Sequence, residues 1–230
     1  MLPQDQQERI TYLSEFLTAE RQSKIESVLA QRTRYLTVIL EDIHNSHNAS
    51  AVLRNCEVFG IQDVHAIEER NPFDIHREIT RGCHKWLTVY RYNDTEQNNT
   101  QNCLKRLKAE GYRIVATTPH KTQVSLQDLK LDRKLALMFG SELDGLSPEA
   151  LQQADEFVTI PMVGYSESLN LSVSVALCLY DITNRLRRSQ IDWSLSEAET
   201  LKLRLTWIRQ SIPHSNELEK YFLTRQEKTQ

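Results

Sequence analysis

Short runs of consecutive apolar residues alternate with amphipathic segments through the middle of this chain. The apolar runs have the length of strands buried on both faces, and they lie at 37–40, 63–67, 87–92, 113–118, 135–140 and 157–161. The segments between them carry apolar residues at helical spacing, at 48–60, 102–112, 147–154 and 168–188. This alternation predicts an α/β fold with a mostly parallel sheet.

The two ends of the chain have a different pattern. Residues 1–33 and 189–230 are more polar and show only helical spacing. We therefore expect three parts: an N-terminal helical arm at 1–33, an α/β core at 34–188 and a C-terminal helical extension at 189–230.

The stretch SLNLSVSV at 168–175 is ambiguous, because its strict alternation is typical of a half-buried strand. The α/β order requires a helix here, and apolar residues from Leu169 to Tyr180 also satisfy helical spacing. We predict a helix that begins at Ser168. Ser168 and Asn170 would then lie where a helix offers free N–H groups to a ligand.

Composition is ordinary for a globular protein, with 40% hydrophobic and 26% charged residues among 230. A formal net charge of −3 argues against a protein that binds nucleic acid over most of its surface, but it permits a local basic patch, such as RLRRS at 185–189. The polar first residues and the lack of a long apolar run predict neither a signal peptide nor a membrane span. The four cysteines have no close paired spacing, so we expect free thiols and a cytoplasmic protein.

Several familiar chemistries find no support. The sequence has no G-x-G-x-x-G after a strand, no P-loop and no G-x-S-x-G. His44 with His47, and Cys83 with His84, lack further residues at metal-ligand spacing, so we expect no metal site.

Three segments follow predicted strands, at 41–54, 139–147 and 160–174. Ligands bind at the carboxyl ends of strands in open α/β sheets, so these segments are the candidate site. Only 6 glycines occur in the chain, and Gly140, Gly145 and Gly164 lie in two of these segments. Glycines there indicate unusual backbone angles or close approach of a ligand.

The same three segments carry a resemblance. HNASAVLR (47–54), LMFGSELDGLS (137–147) and IPMVGYSESLNLSVSVA (160–176) resemble, in order, the three motifs of the TrmH (SpoU) family of RNA 2′-O-ribose methyltransferases. This family belongs to the SPOUT superfamily. The resemblance implies a SPOUT-type fold with a C-terminal trefoil knot, at about 113–188, and S-adenosylmethionine as cofactor.

The resemblance also implies partners. It is strongest to family members that methylate a guanosine, position 18, in the D-loop of tRNA, and it implies a homodimer packed through the knot helices. On the helix after the third motif, we expect Leu171, Val175 and Leu179 to be too apolar to remain in contact with water, so that a second subunit covers them. Two alternatives stay open, a ribosomal RNA substrate and a non-catalytic RNA-binding dimer.

Residue roles follow from the motifs. The resemblance implies catalytic roles for Arg54, Asn48, Glu142, Ser168 and Asn170, with Asn48 also expected as a helix N-cap. Arg54 would serve the cofactor of the other subunit, either as a base assisted by a phosphate or as a phosphate ligand that stabilises negative charge. A guanidinium does not readily give up its proton, which favours the second role.

The cofactor pocket implied by the resemblance is lined by five residues: Thr117, Gly140, Ile160, Met162 and Leu169. For RNA contacts it implies three basic residues near the N-terminus: Arg21, Lys24 and Arg32. Relatives often carry Arg-x-Arg after the long helix. This chain has Asn184 and Leu186 there, and the displaced Arg185, Arg187 and Arg188 are the expected substitutes.

Overall fold

The computed structural model describes residues 3–118 and 124–227. Two compact units are present. One spans Thr33–Trp193, and the other combines residues 1–32 with residues 194–230.

The larger unit is built on a seven-stranded sheet in which every described strand pair is parallel. The strand order is β3-β2-β1-β6-β4-β7-β5. The strands are β1 (Leu36–Glu41), β2 (Asp63–Ile67), β3 (Thr88–Tyr92), β4 (Arg113–Thr117), β5 (Val124–Ser125), β6 (Leu135–Phe139) and β7 (Glu156–Thr159). The six predicted strands are confirmed with small shifts in their ends, whereas the two-residue β5 carries too short a pattern to be predicted.

Helices cover both faces of this sheet. They are α3 (Ser46–Val58), α4 (Arg77–Thr80), α5 (Asn99–Ala109), α6 (Pro148–Gln153) and α7 (Leu171–Arg188), with 3₁₀ turns at Cys83–Trp86 and Leu126–Asp128. One core cluster joins β1 to α3 and α7 through residues such as Val38, Val52 and Val175. A second cluster joins the other face to α5 and α6 through residues such as Met138 and Leu104. The predicted α/β class is confirmed.

The smaller unit contains the helices α1 (Pro3–Ser14), α2 (Ala19–Leu29), α8 (Glu197–Ser211) and α9 (Ser215–Glu227). Helix α1 packs against α8 and α9, and α2 packs against α8. Glu219 on α9 accepts hydrogen bonds from both Arg9 and Arg209, and these two arginines lower the pKa of its carboxyl group. The two ends of the chain, expected as separate arms, thus form one helical unit.

Two predicted helix starts are wrong. Helix α3 is capped by Asn45, whose side chain accepts from the His47 backbone N–H at 2.9 Å, so Asn48 lies inside the helix and is not its cap. Helix α7 begins at Leu171 with Asn170 as its cap, because the Asn170 side chain accepts from the Ser172 N–H at 2.9 Å. Ser168 therefore belongs to the preceding loop.

The expected subunit contact on α7 is also wrong in its residues. Leu171, Val175 and Leu179 are buried in the core of their own chain. The exposed apolar side chains of α7 are Val173, Leu177 and Tyr180, which project on another side of the helix.

All four cysteines are buried and none forms a disulfide bond, as their spacing predicted. Among the described helices, none combines the length and the apolar character that a membrane crossing requires.

Candidate active site

A cavity of about 740 Å³ opens at the carboxyl edge of the sheet, beside the ends of β4, β6 and β7. The three segments singled out from the sequence all contribute to its lining. The five residues expected to contact the cofactor line it: Thr117, Gly140, Ile160, Met162 and Leu169. Four of the five expected catalytic residues do so too: Asn48, Glu142, Ser168 and Asn170.

The loop after β6, residues 140–147, closes on itself. The backbone groups of Ser141 and Gly145 exchange two hydrogen bonds of 3.0 Å. A Cβ atom at Gly140 would overlap the carbonyl group of Gly145, so only glycine fits there. Gly145 has a φ of 70°, in the left-handed region. These two glycines are therefore required by the loop itself.

A buried carboxylate anchors the far end of this loop. Glu41, the last residue of β1, accepts hydrogen bonds from the Ser147 backbone N–H at 2.8 Å and from the Ser147 hydroxyl at 2.7 Å. The Thr100 hydroxyl on α5 donates to the same carboxylate at 2.9 Å. Glu41 is 2% exposed, so these donors replace the water that its charge would otherwise require.

Asp42, the residue after Glu41, anchors the loop 140–147 through Arg70. Asp42 has a φ of 53° and accepts from the backbone N–H groups of Glu69, Arg70 and Asn71 at 2.8–3.2 Å. The Arg70 side chain donates to Asp42 at 3.1 Å and pairs with Asp144 in the loop at 3.3 Å. Hydrogen bonding to Asp42 raises the pKa of Arg70. This link could not be predicted from the sequence, because no periodicity or motif pairs residues 42, 70 and 144.

Three polar side chains connect the three segments across the cavity. The Asn170 amide donates to the Asn48 side-chain oxygen at 3.1 Å. The Asn48 amide in turn donates to Glu142 at 2.7 Å. The oxygen and the NH₂ of the Asn48 side-chain amide are thus each oriented by a partner from one of the other two segments, which is the arrangement expected of a pre-organised site.

The loop 160–170 is held differently. Every residue of 161–170 is exposed, and Val163 and Tyr165 are exposed to 105% and 106%. Ser168 lies on this loop and lines the cavity without a hydrogen bond to the rest of the described chain.

Arg54 is not brought to the cavity. It is exposed on α3, two turns beyond Asn48, and it is not among the lining residues. It makes no hydrogen bond or ion pair within the described part of the chain. Its neighbour Asn55 donates to the Ser172 carbonyl of α7 at 2.8 Å and so fixes α3 beside that helix. Arg54 is therefore a free cation held in a defined place outside the pocket of its own chain.

Two of the arginines expected to contact RNA, Arg32 and Arg185, make contacts within the fold instead. Arg32 is 1% exposed, and its guanidinium lies over the Trp207 ring at 5.2 Å, so it does not present charge to a ligand. Arg185 pairs with Asp181 at 2.7 Å and donates to the carbonyls of Leu129 and Leu126. It therefore stabilises the fold around the 3₁₀ turn 126–128.

The other cations expected to contact RNA differ in whether they already make hydrogen bonds within the fold. Arg187 donates to the Phe59 carbonyl at 2.9 Å, and Arg21 donates to the Ser211 hydroxyl at 3.3 Å. Lys24 and Arg188 are exposed. These side chains are expected from basic positions in the family and from local charge, and neither signal separates a free cation from one that the fold already uses.

Within residues 3–118 and 124–227, no group of three histidine, cysteine or acidic side chains is arranged to hold a metal ion.

Comparison with known proteins identifies the family. The sequence profile of the SpoU rRNA Methylase family matches residues 35–180, which include all three segments around the cavity. The chain belongs to the SpoU methylase family.

Relatives in this family match along most of the chain. A protein of Borreliella burgdorferi named tRNA (guanosine(18)-2′-O)-methyltransferase is 44% identical over 204 residues, which are 89% of this chain and 91% of the relative. A Thermus thermophilus protein of the same name is 32% identical over 194 residues, 84% of this chain and 97% of the relative.

Solved structures of the family share the fold. The TrmH/SpoU tRNA modifying enzyme of A. aeolicus matches with a TM-score of 0.74 and 30% identity, over 84% of this chain and 98% of that chain. The SpoU methyltransferase AviRb of Streptomyces viridochromogenes, solved in complex with the cofactor AdoMet, matches with a TM-score of 0.55 and 18% identity, over 71% of this chain and 62% of that chain.

Proposed function

We propose that this protein transfers a methyl group from S-adenosylmethionine to the 2′-hydroxyl of guanosine 18 in tRNA. The observation that carries the proposal is the chain Asn170–Asn48–Glu142, which joins the three motif segments around one cavity. The names of the relatives in B. burgdorferi and T. thermophilus support the same substrate.

The cavity suits the cofactor. Apolar side chains, among them Leu146, Leu151 and Ile160, offer a surface for a flat base, and the loop residues 140–146 line the same cavity. Glu142 places a carboxylate, oriented by Asn48, at the same cavity. When bound, S-adenosylmethionine supplies a methyl group on a positively charged sulfur, and a nearby carboxylate complements that charge.

Arg54 acts on the RNA. A 2′-hydroxyl must lose its proton as it attacks, and a guanidinium beside it stabilises the developing negative charge and binds the adjacent phosphate. Because Arg54 lies outside the cavity of its own chain, we place it at the cavity of a second copy.

A homodimer provides that second copy. Helix α7 exposes Val173, Leu177 and Tyr180, and the loop before it exposes Val163 and Tyr165. Such a group of apolar side chains beside the cavity fits a self-complementary contact around a two-fold axis.

The trefoil knot is part of the same proposal. Strand β6 lies between β1 and β4, β7 lies on the other side of β4, and α7 then returns to pack against α3. This order of the described strands and the return of α7 support a knotted crossing.

The test is direct. Purified protein is incubated with methyl-labelled S-adenosylmethionine and total RNA, and the 2′-O-methylated nucleotide is mapped. We expect label in tRNA at guanosine 18. Label only in ribosomal RNA would show that the substrate is ribosomal RNA and not tRNA. If no methyl group is transferred although the cofactor binds, the protein is a non-catalytic RNA-binding module.

A further inference from the structure

The larger unit has many basic side chains, but ion pairs hold half of its arginines. Ion pairs occupy Arg34, Arg70, Arg91, Arg106, Arg113 and Arg185. A cation that already neutralises a carboxylate gives little further binding to a phosphate, so the free cations identify an RNA surface better than total charge does.

Three cations without ion pairs in the described chain lie close together in the segment HREITRGCHKW at 76–86. Arg77, Arg81 and Lys85 are exposed there, and none forms an ion pair within the described residues. Glu78 is the only carboxylate in the segment. The Arg81 N–H donates to the Arg77 carbonyl at 3.0 Å, so the two arginines bracket the single turn of α4.

Two of these cations, Lys85 and Arg77, act on His84. Burial is the main cause that lowers its pKa, and the positive charges of Lys85 and Arg77 lower it further. The His84 ring nitrogen Nδ1 lies 3.1 Å from the Thr80 hydroxyl. Both residues lie between Arg77 and Lys85 in the sequence.

The segment packs against α3, the helix that carries Arg54. The His76 N–H donates to the Ser50 hydroxyl of α3 at 2.6 Å, and the His76 ring stacks on His47 with centroids 4.9 Å apart. His47 and Arg54 are seven residues apart on α3, so they lie on the same strip of the helix. The segment that carries Arg77, Arg81 and Lys85 therefore packs against the helix that carries Arg54.

We propose that Arg77, Arg81 and Lys85 bind the sugar-phosphate backbone of the substrate RNA next to the nucleotide that Arg54 engages. This inference rests on the proposed function, because it takes RNA as the substrate. Charge complementarity selects the ligand: three unpaired cations stand in a chain of net charge −3.

The experiment compares two triple variants of the full chain. Arg77→Gln with Arg81→Asn and Lys85→Gln removes the three charges, and asparagine suits position 81 because Arg81 has a left-handed φ of 45°. The matched control is Lys105→Gln with Lys130→Gln and Arg133→Gln, which removes three exposed cations elsewhere in the same unit. Binding of an unmodified tRNA transcript is titrated against salt, and S-adenosylmethionine affinity is measured by calorimetry.

The 77/81/85 variant should bind tRNA roughly tenfold or more weakly, with a salt slope lower by about two to three units. Its cofactor affinity should stay at the wild-type value, and the control variant should bind tRNA within about twofold of wild type. The charge-preserving variant Arg77→Lys with Lys85→Arg should restore wild-type binding.

Equal loss in the two triple variants, or wild-type binding by the 77/81/85 variant, would overturn the inference while leaving the proposed function intact. Conversion of a dimer to a monomer by the 77/81/85 variant would also overturn it, because the surface would then be a subunit contact. Failure of the proposed function is distinct, since the wild-type protein itself would not methylate the transcript.

Discussion

The two loops that border the cavity differ in what holds them. The loop 140–147 is fixed by its own glycines, by the buried Glu41 and by the Asp42–Arg70–Asp144 link. The loop 161–170 is exposed along its whole length, and its hydrogen bonds to the described residues are those of Asn170. One side of the pocket is thus completed by the single chain, and the other side is left for a ligand or a second copy to cover.

The largest effect should come from a residue that belongs to neither loop. Arg54→Ala should lower methyl transfer by about a thousandfold or more, the scale of losing a charge-stabilising donor at a reacting oxygen. Cofactor affinity, measured by calorimetry, should stay within about twofold of wild type. A matching loss of cofactor affinity would place Arg54 in the pocket and contradict its role on the RNA.

The second test compares glycines of the two loops. Gly140→Ala should weaken cofactor binding by about a hundredfold or more, because the new methyl group overlaps the Gly145 carbonyl and forces the fixed loop to shift. Gly164→Ala is the matched control, since a Cβ there meets nothing within 4 Å. Similar losses in both variants would show that the two loops do not differ as described.

A third change removes the anchor of the exposed loop. Asn170→Ala deletes the cap of α7 and the hydrogen bond to Asn48, and a lost cap costs about 1 kcal/mol. We expect cofactor affinity and methyl transfer both to fall by roughly tenfold, with a lower Tm. Unchanged affinity would mean that the loop is ordered without Asn170.

The smallest effect should come from Asp144→Asn. The Arg70–Asp144 pair is more than half exposed, and exposed pairs contribute about 0–1 kcal/mol. Cofactor affinity should fall by less than about fivefold, and the loss should shrink in high salt. A loss as large as that of Gly140→Ala would mean that the ion pair, and not the glycine packing, holds the fixed loop.

The sequence predicted much of this architecture because its strongest signals are local. Strand-length apolar runs marked the sheet, and the glycine and asparagine positions of the motifs marked the cavity. Asn45 and Asn48 are equally good caps by residue type, so only the hydrogen bond to His47 decides between them. The Asp42–Arg70–Asp144 link and the burial of Arg32 under Trp207 depend on pairs far apart in sequence, which periodicity does not encode.

The central claim is that one copy supplies the cavity and a second copy supplies Arg54. Co-expression with two affinity tags would isolate heterodimers of an Arg54→Ala chain and a Gly140→Ala chain. Each parent variant should be inactive in methyl transfer to tRNA. The heterodimer contains one site with an intact cavity and an intact Arg54, so it should recover about half of the wild-type activity. A heterodimer as inactive as both parents would show that cavity and arginine must come from the same chain, and would contradict the account.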